Sequence, residues 1–184
     1  MSEIKLKEQL LKRCRSNDQA AFGSLINLYR KQLFSYLLRL SGNKMLAEDL
    51  FQETLIKVWK GLNKYNEQNK FSSWLFSIAH NVAVDSARSK EVRNKHMSSS
   101  DNYTYQSSSN PHSDFVETET REILMSAVDT LPEKQKEVFL LRLHSGMQFK
   151  EIAEITKQPL NTVLGHMHYA VSKIREKVNR AYEE

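Results

Sequence analysis

Three polar side chains, Asp49, Gln52 and Glu53, stand at i, i+3 and i+4 in the run AEDLFQETLIKVW, which puts two carboxylates and an amide on one patch of a helix. Such a patch can meet a basic protein surface. The same arrangement also suits a solvated helix whose Lys57, Lys60 and Lys64 gather at the negative end of its dipole. A second set lies in FSSWLFSIAHNVAVDSARSK. On the helix predicted there, Ser73, Ser77, His80, Asn81, Asp85 and Arg88 face outward, with Lys70 at the entrance. Polar groups beside aromatic and basic ones suit single-stranded nucleic acid, whose bases stack or enter pockets while cations hold phosphates. Trp74, at core spacing, is read as core. The third set is EIAEITKQPLNTVLGHMHY, Glu151 to Tyr169, which has the outline of two helices around a break. The second helix of such a pair lies in the major groove, yet this one has almost no Lys or Arg.

Other chemistries lack their residues. The chain carries no Gly-rich phosphate loop, no Cys and His pair, no cluster at metal-ligand spacing and no nucleophile elbow, so an enzyme, a cofactor and a small-molecule substrate are not expected. His166 and His168, at i and i+2, point to different helix faces and make no metal site. The single cysteine, Cys14, is a small filler on a helix face. The start, MSEIKLKEQLLKRCRS, has neither a long apolar run nor a small-residue cleavage site, so no signal peptide or membrane insertion is expected, and the location expected is cytoplasmic.

The elements that must hold these residues are helical. Phe22, Leu25, Ile26, Tyr29, Leu33, Tyr36, Leu37 and Leu40 recur at steps of three and four, predicting one helix that opens near Asn17 or Asp18 and stops at Gly42. Asn43 caps the next, KMLAEDLFQETLIKVWKGL, with Leu46, Leu50, Thr54, Val58 and Leu62 inward. After YNEQNK comes the helix of Phe71, Trp74, Leu75, Ile78, Val82 and Ser86 as buried stripe. From His96 to Asp114 Ser and Asn dominate and no apolar period survives, as in a tether that cannot bury enough surface to offset its ordering entropy. Beyond it Ile123, Leu124, Ala127, Val128 and Leu131 form a helix ended before Pro132, and Pro132 opens another that Gly146 closes. Phe149 to Thr156 and about Asn161 to Tyr182 complete the chain. The fold expected is therefore all-α, with domains at 1–92 and 118–184 joined by a flexible linker, 93–117. Charge is uneven: residues 1–90 hold 15 Lys and Arg against eight Asp and Glu, net +7, whereas residues 119–184 hold ten of each. An anionic partner is expected for the first domain.

AEDLFQETLIKVW, FSSWLFSIAHNVAVD, a polar tether, LPEKQKEVFLLRL and EIAEITKQPLNTVLGHM, in this order, make the chain resemble bacterial RNA polymerase sigma factors of the extracytoplasmic-function (ECF) class, from about Ala20 to Val178. The resemblance implies a transcription initiation factor whose partners are core RNA polymerase, promoter DNA and an anti-sigma factor. It implies that Asp49, Gln52, Glu53 and Ile56 contact the clamp helices of the polymerase. It gives Asn66, Lys70, Ser73, Ser77, His80, Asn81, Asp85 and Arg88 to the downstream promoter element, melted with one base flipped out. It gives Asn161, Thr162, Leu164, Gly165, His166, His168, Tyr169 and Lys173 to the upstream element as duplex, within a helix-turn-helix packed by Ala153 and Val163. Departures from the family pattern are Lys157, where Gly usually takes the left-handed turn, and Leu164, Gly165, His166 and Tyr169, where many relatives have basic or serine residues. A helix-turn-helix regulator that never replaces a sigma factor is the alternative, and it leaves the acidic patch and the polar loop before Phe71 without a purpose.

Overall fold

The computed structural model describes residues 3–65, 70–96 and 115–183. These residues are helical apart from short connections, and they fall into two compact units.

The N-terminal unit holds α1 (Glu3–Arg15), α2 (Gln19–Asn27), α3 (Arg30–Ser41), α4 (Lys44–Gly61), a single 3-10 turn (Leu62–Lys64) and α5 (Phe71–His96). Asp18 starts α2, its carboxylate accepting the Ala21 N–H at 2.9 Å. That amide, and then the Arg13 guanidinium beside it, hold the Asp18 carboxyl below its ordinary value. Where one helix is expected from Asp18 to Gly42, there are two. The Leu28 and Tyr29 amides reach back three residues, to Leu25 O and Ile26 O, which tightens the turn and interrupts the α pattern without a Gly or Pro to announce it. Gly42, at φ 65°, then ends α3, and Asn43 caps α4 by accepting from the Leu46 N–H at 2.9 Å.

Inside, α4 buries Ala47, Leu50, Thr54 and Val58, the Thr54 hydroxyl donating to Leu50 O at 2.6 Å. α5 is buried on a broader front: Phe71, Leu75, Phe76, Ala79, Val82 and Ala83 are all inside, packed against α3 and α4. Tyr36 and Phe76, both without solvent exposure, meet edge to face at 5.4 Å. Cys14, on α1, is 2 % exposed, and burial is the main cause pushing its thiol above the ordinary range.

The C-terminal unit holds α6 (Phe115–Asp129), α7 (Glu133–Ser145) as far as Leu143, α8 (Phe149–Thr156) and α9 (Leu160–Glu183). α5 and α6 thus reach into both ends of the span expected as linker, and residues 97–114 lie outside the described part. Pro132 precedes α7 and its carbonyl accepts the Lys136 N–H. Gly146, at φ 68°, closes α7. Glu151 reaches back to the Gln148 N–H at 2.6 Å and fixes the start of α8. α6 and α8 both pack on α9, and Val128, Leu140, Leu141, Met147, Ile152, Val163 and Ala170 are buried.

Between α8 and α9 the chain turns at Lys157, φ 54° and ψ 39°, with the Gln158 N–H on Ala153 O at 3.0 Å and the Lys157 N–H on Glu154 O at 3.3 Å. This is the paired capping pattern that normally recruits Gly, because a Cβ is strained in the left-handed region. Replacing Lys157 by Gly is expected to stabilise the protein by about 0.5–1 kcal/mol, the relief of strain exceeding the extra unfolded-state entropy. Urea unfolding of the full chain followed by helicity checks it; an unchanged or lower midpoint would show that the turn is not strained.

Candidate functional site

The outer side of α4 presents Asp49, Gln52, Glu53 and Ile56, all exposed and opposite the buried line of the same helix. Ile56 keeps 54 % of its surface in solvent. Glu53 is engaged with Lys57 at 3.0 Å, one turn on, while Asp49 has no ion pair among the described residues. Met45 begins the same line at 75 % exposure. Sequence pattern alone does not single it out, because an apolar residue in a first helical turn is usually taken as core.

On α5 the outward residues are Asn81, Asp85 and Arg88, with Lys70 exposed just before the helix and Ser77 half-buried, its hydroxyl bonded to Trp74 O. Two residues expected there face inward instead. Ser73 is 5 % exposed and His80 2 %, the latter with its Nδ1 hydrogen-bonded to the Tyr36 hydroxyl at 3.2 Å. The physical reason is that α5 is covered on two sides, so the polar strip open to solvent is narrower than a single apolar stripe suggests. Asn66 lies outside the described residues.

The flanks of residues 66–69 are held by an aromatic group. Tyr65 and Phe71 meet at 5.6 Å and 88°, Tyr65 and Trp74 at 4.9 Å, Phe71 and Trp74 at 5.7 Å, and Tyr29 closes on Phe71 at 5.4 Å. The Arg15 guanidinium donates to Tyr65 O at 2.9 Å, tying α1 to the same place. Trp74 is half-buried, and its indole fills the space beside Gly61, where a Cβ would stand 3.1 Å from Cζ2.

α9 brings together the third set. Asn161, Thr162, Leu164, His168, Tyr169 and Lys173 are exposed, while Gly165 and His166 are half-buried. Val163 is fully buried and Ala153 half-buried, so α9 is seated on α8 through the turn at Lys157. His168 and Tyr169 rings lie 5.8 Å apart, and a Cβ at Gly165 would meet nothing within 4 Å. Nothing inside the protein requires that glycine. Across α7 and α8, Arg142 donates to Met147 O and lies over the Phe149 ring, bracing the start of the two-helix element.

Comparison with known proteins agrees with this arrangement. Residues 25–93 match the family described as Sigma-70 region 2, and residues 121–174 match Sigma-70, region 4. The chain is 26% identical to the ECF RNA polymerase sigma factor SigW of Bacillus subtilis over 96% of its own length and 98% of the relative's. It is 28% identical to the ECF RNA polymerase sigma-E factor of Escherichia coli strain K12, with 97% of each covered. Among solved structures it is similar to CnrH, determined with the cytosolic domain of CnrY (TM-score 0.62, 20% identity, 95% and 98% of the chains), and to the sigma factor RpoE of Bartonella quintana, determined with the anti-sigma factor NepR (TM-score 0.66, 22% identity, 86% and 96%). The chain belongs to the sigma-70 family, in its ECF class of RNA polymerase sigma factors. It is a transcription initiation factor, and the reading as a regulator that never replaces a sigma factor is set aside. No helix among the described residues is long and apolar enough to cross a membrane.

The contact between Gly61 and Trp74 yields a structural test. Gly61→Leu is expected to displace the indole and to destabilise the protein by about 1–3 kcal/mol through overpacking. In a Trp59→Phe background, Trp74 emission and the urea midpoint report it together; a variant with both unchanged would show that the glycine is not needed for close approach.

Proposed function

We propose that the three exposed surfaces divide the work of initiation. The outer side of α4, with Asp49, Gln52, Glu53 and Ile56, receives core RNA polymerase. Lys70, Ser77, Asn81, Asp85 and Arg88 take the downstream promoter element as separated strands, and Asn161, Thr162, Leu164, Gly165, His166, His168, Tyr169 and Lys173 take the upstream element as duplex. The observation that carries this reading is the clean separation of faces on α4, a helix whose inner line is buried and whose outer line exposes acids, an amide and isoleucine. Such a mixed ridge suits a basic helical partner, where the charges set orientation and the apolar group adds contact. The domains follow as 1–92 for polymerase and melting, 93–117 as linker and 118–184 for the upstream element. The protein acts by binding, without a catalytic step of its own, and an anti-sigma factor is its third partner, as NepR is for the relative from Bartonella quintana.

The basic first domain, net +7 over residues 1–90, suits the work assigned to it, since separated strands present phosphates that must be held apart. Ser73 and His80, being inside, are left out of this DNA surface, and His80 is held there by the Tyr36 hydroxyl. The second domain is neutral, so its hold on duplex comes from being tethered to a module already on the polymerase, which gives it a high effective concentration. What α9 then supplies is shape and apolar contact. Leu164 can meet a thymine methyl, and the open space at Gly165 lets a sugar-phosphate strand come close to the backbone.

Reversing charge at both Asp49 and Glu53 to Lys is expected to abolish binding to core polymerase with helicity unchanged; wild-type affinity in the well-folded double variant would refute the α4 assignment. On α9, Leu164→Arg is expected to shift the preferred upstream sequence towards guanine, because a donor fork replaces an apolar tip. Transcription by holoenzyme from a promoter library randomised in the upstream element measures it. An unaltered preference at unaltered activity would mean that another face of α9 meets DNA.

A further inference from the structure

Among the described residues of the N-terminal unit, the large apolar side chains left exposed are Leu28, Met45, Ile56 and Val84. Two of these, Met45 and Ile56, fall on one line of α4. Together with Asp49 and Gln52 they occupy i, i+4, i+7 and i+11, the spacing by which a helix presents one continuous strip to a partner. At 1.5 Å per residue the strip is about 16 Å long, three turns of helix. Its ends are apolar and its middle polar. Neither end has a cover within the unit: Met45 is 75 % and Ile56 54 % exposed, on a helix where Ala47, Leu50 and Val58 are buried and Leu46, Phe51, Leu55 and Trp59 half-buried.

Single exposed apolar residues are ordinary, but two bracketing an acid and an amide on one helical line are a contact surface in outline. Methionine is suited to such a place because its flexible thioether fills an irregular surface without a fixed shape of its own. We infer that Met45 is a further core polymerase contact, the N-terminal apolar anchor of a strip that Ile56 closes at the other end. This inference rests on the assignment of the outer side of α4 to polymerase. Its basis is continuity with that surface, since Met45 lies nearer the centre line of Asp49, Gln52 and Ile56 than Glu53 does, at 100° of helix turn per residue. Aligned apolar anchors also fix where along α4 the partner sits, which charges alone do not.

The test measures affinity of the labelled full-length protein for purified core polymerase, with helicity recorded for each variant. Met45→Ala is expected to weaken binding about tenfold, and Met45→Leu to restore it to within about threefold of wild type. Because the lost contact is apolar, the loss at Met45→Ala should be the same at low and high salt, whereas the effect of reversing Asp49 and Glu53 should shrink as salt rises. Since Met45 is on the surface, its truncation leaves no cavity that could unfold the helix. Wild-type affinity for Met45→Ala, alongside weakened binding by Ile56→Ala or by the double charge reversal, would overturn the inference and leave the α4 assignment standing. Wild-type affinity for all of them would overturn both.

Discussion

The N-terminal unit depends on one constraint: α5 must be covered on two sides. Phe71, Leu75, Ala79 and Val82 form one stripe, and Phe76 and Ala83 broaden it so far that His80 and Ser73 are enclosed as well. A histidine in such a place needs a polar partner, and the Tyr36 hydroxyl supplies one from α3. With α5 fixed between α3 and α4, the outer line of α4 is left free of structural duty. That freedom is why a methionine, an isoleucine, an acid and an amide can stand together in solvent there without cost to the core.

Local chemistry makes much of this legible in the sequence itself. Asn43, Gly42, Pro132 and Gly146 mark helix ends by mechanisms that act within a few residues, and all four do so here. The left-handed turn at Lys157 is equally local in origin, since α8 must end and α9 begin again within the three residues up to Pro159. What could not be read depends on distant parts of the chain. The break at Leu28 and Tyr29 has no breaker residue and arises where α2 and α3 each seat on different neighbours. The burial of Ser73 and His80 follows from a second packed face, and a polar letter in a helical period gives no sign of it. The same blindness applies to Met45, whose exposure becomes visible only when the inner side of α4 is known.

The two units use opposite physical means. In the first, a net positive charge and an aromatic group at Tyr29, Tyr65, Phe71 and Trp74 surround the start of α5, so charge and ring surface are both at hand. In the second, α9 stands on a firmly packed base of Val163 and Ala170 and shows a strip of mixed, mostly uncharged side chains.

Cys14 carries a consequence of another kind. The chain has one thiol, enclosed at 2 % exposure, and burial together with the nearby Asp18 carboxylate pushes its pKa up. Oxidants and electrophiles attack thiolates that they can reach, and this sulfur is enclosed with its thiolate form disfavoured. Cys14 is therefore placed as packing and not as a reactive thiol. A cell that ties this factor to oxidative stress has to do so through something other than this thiol.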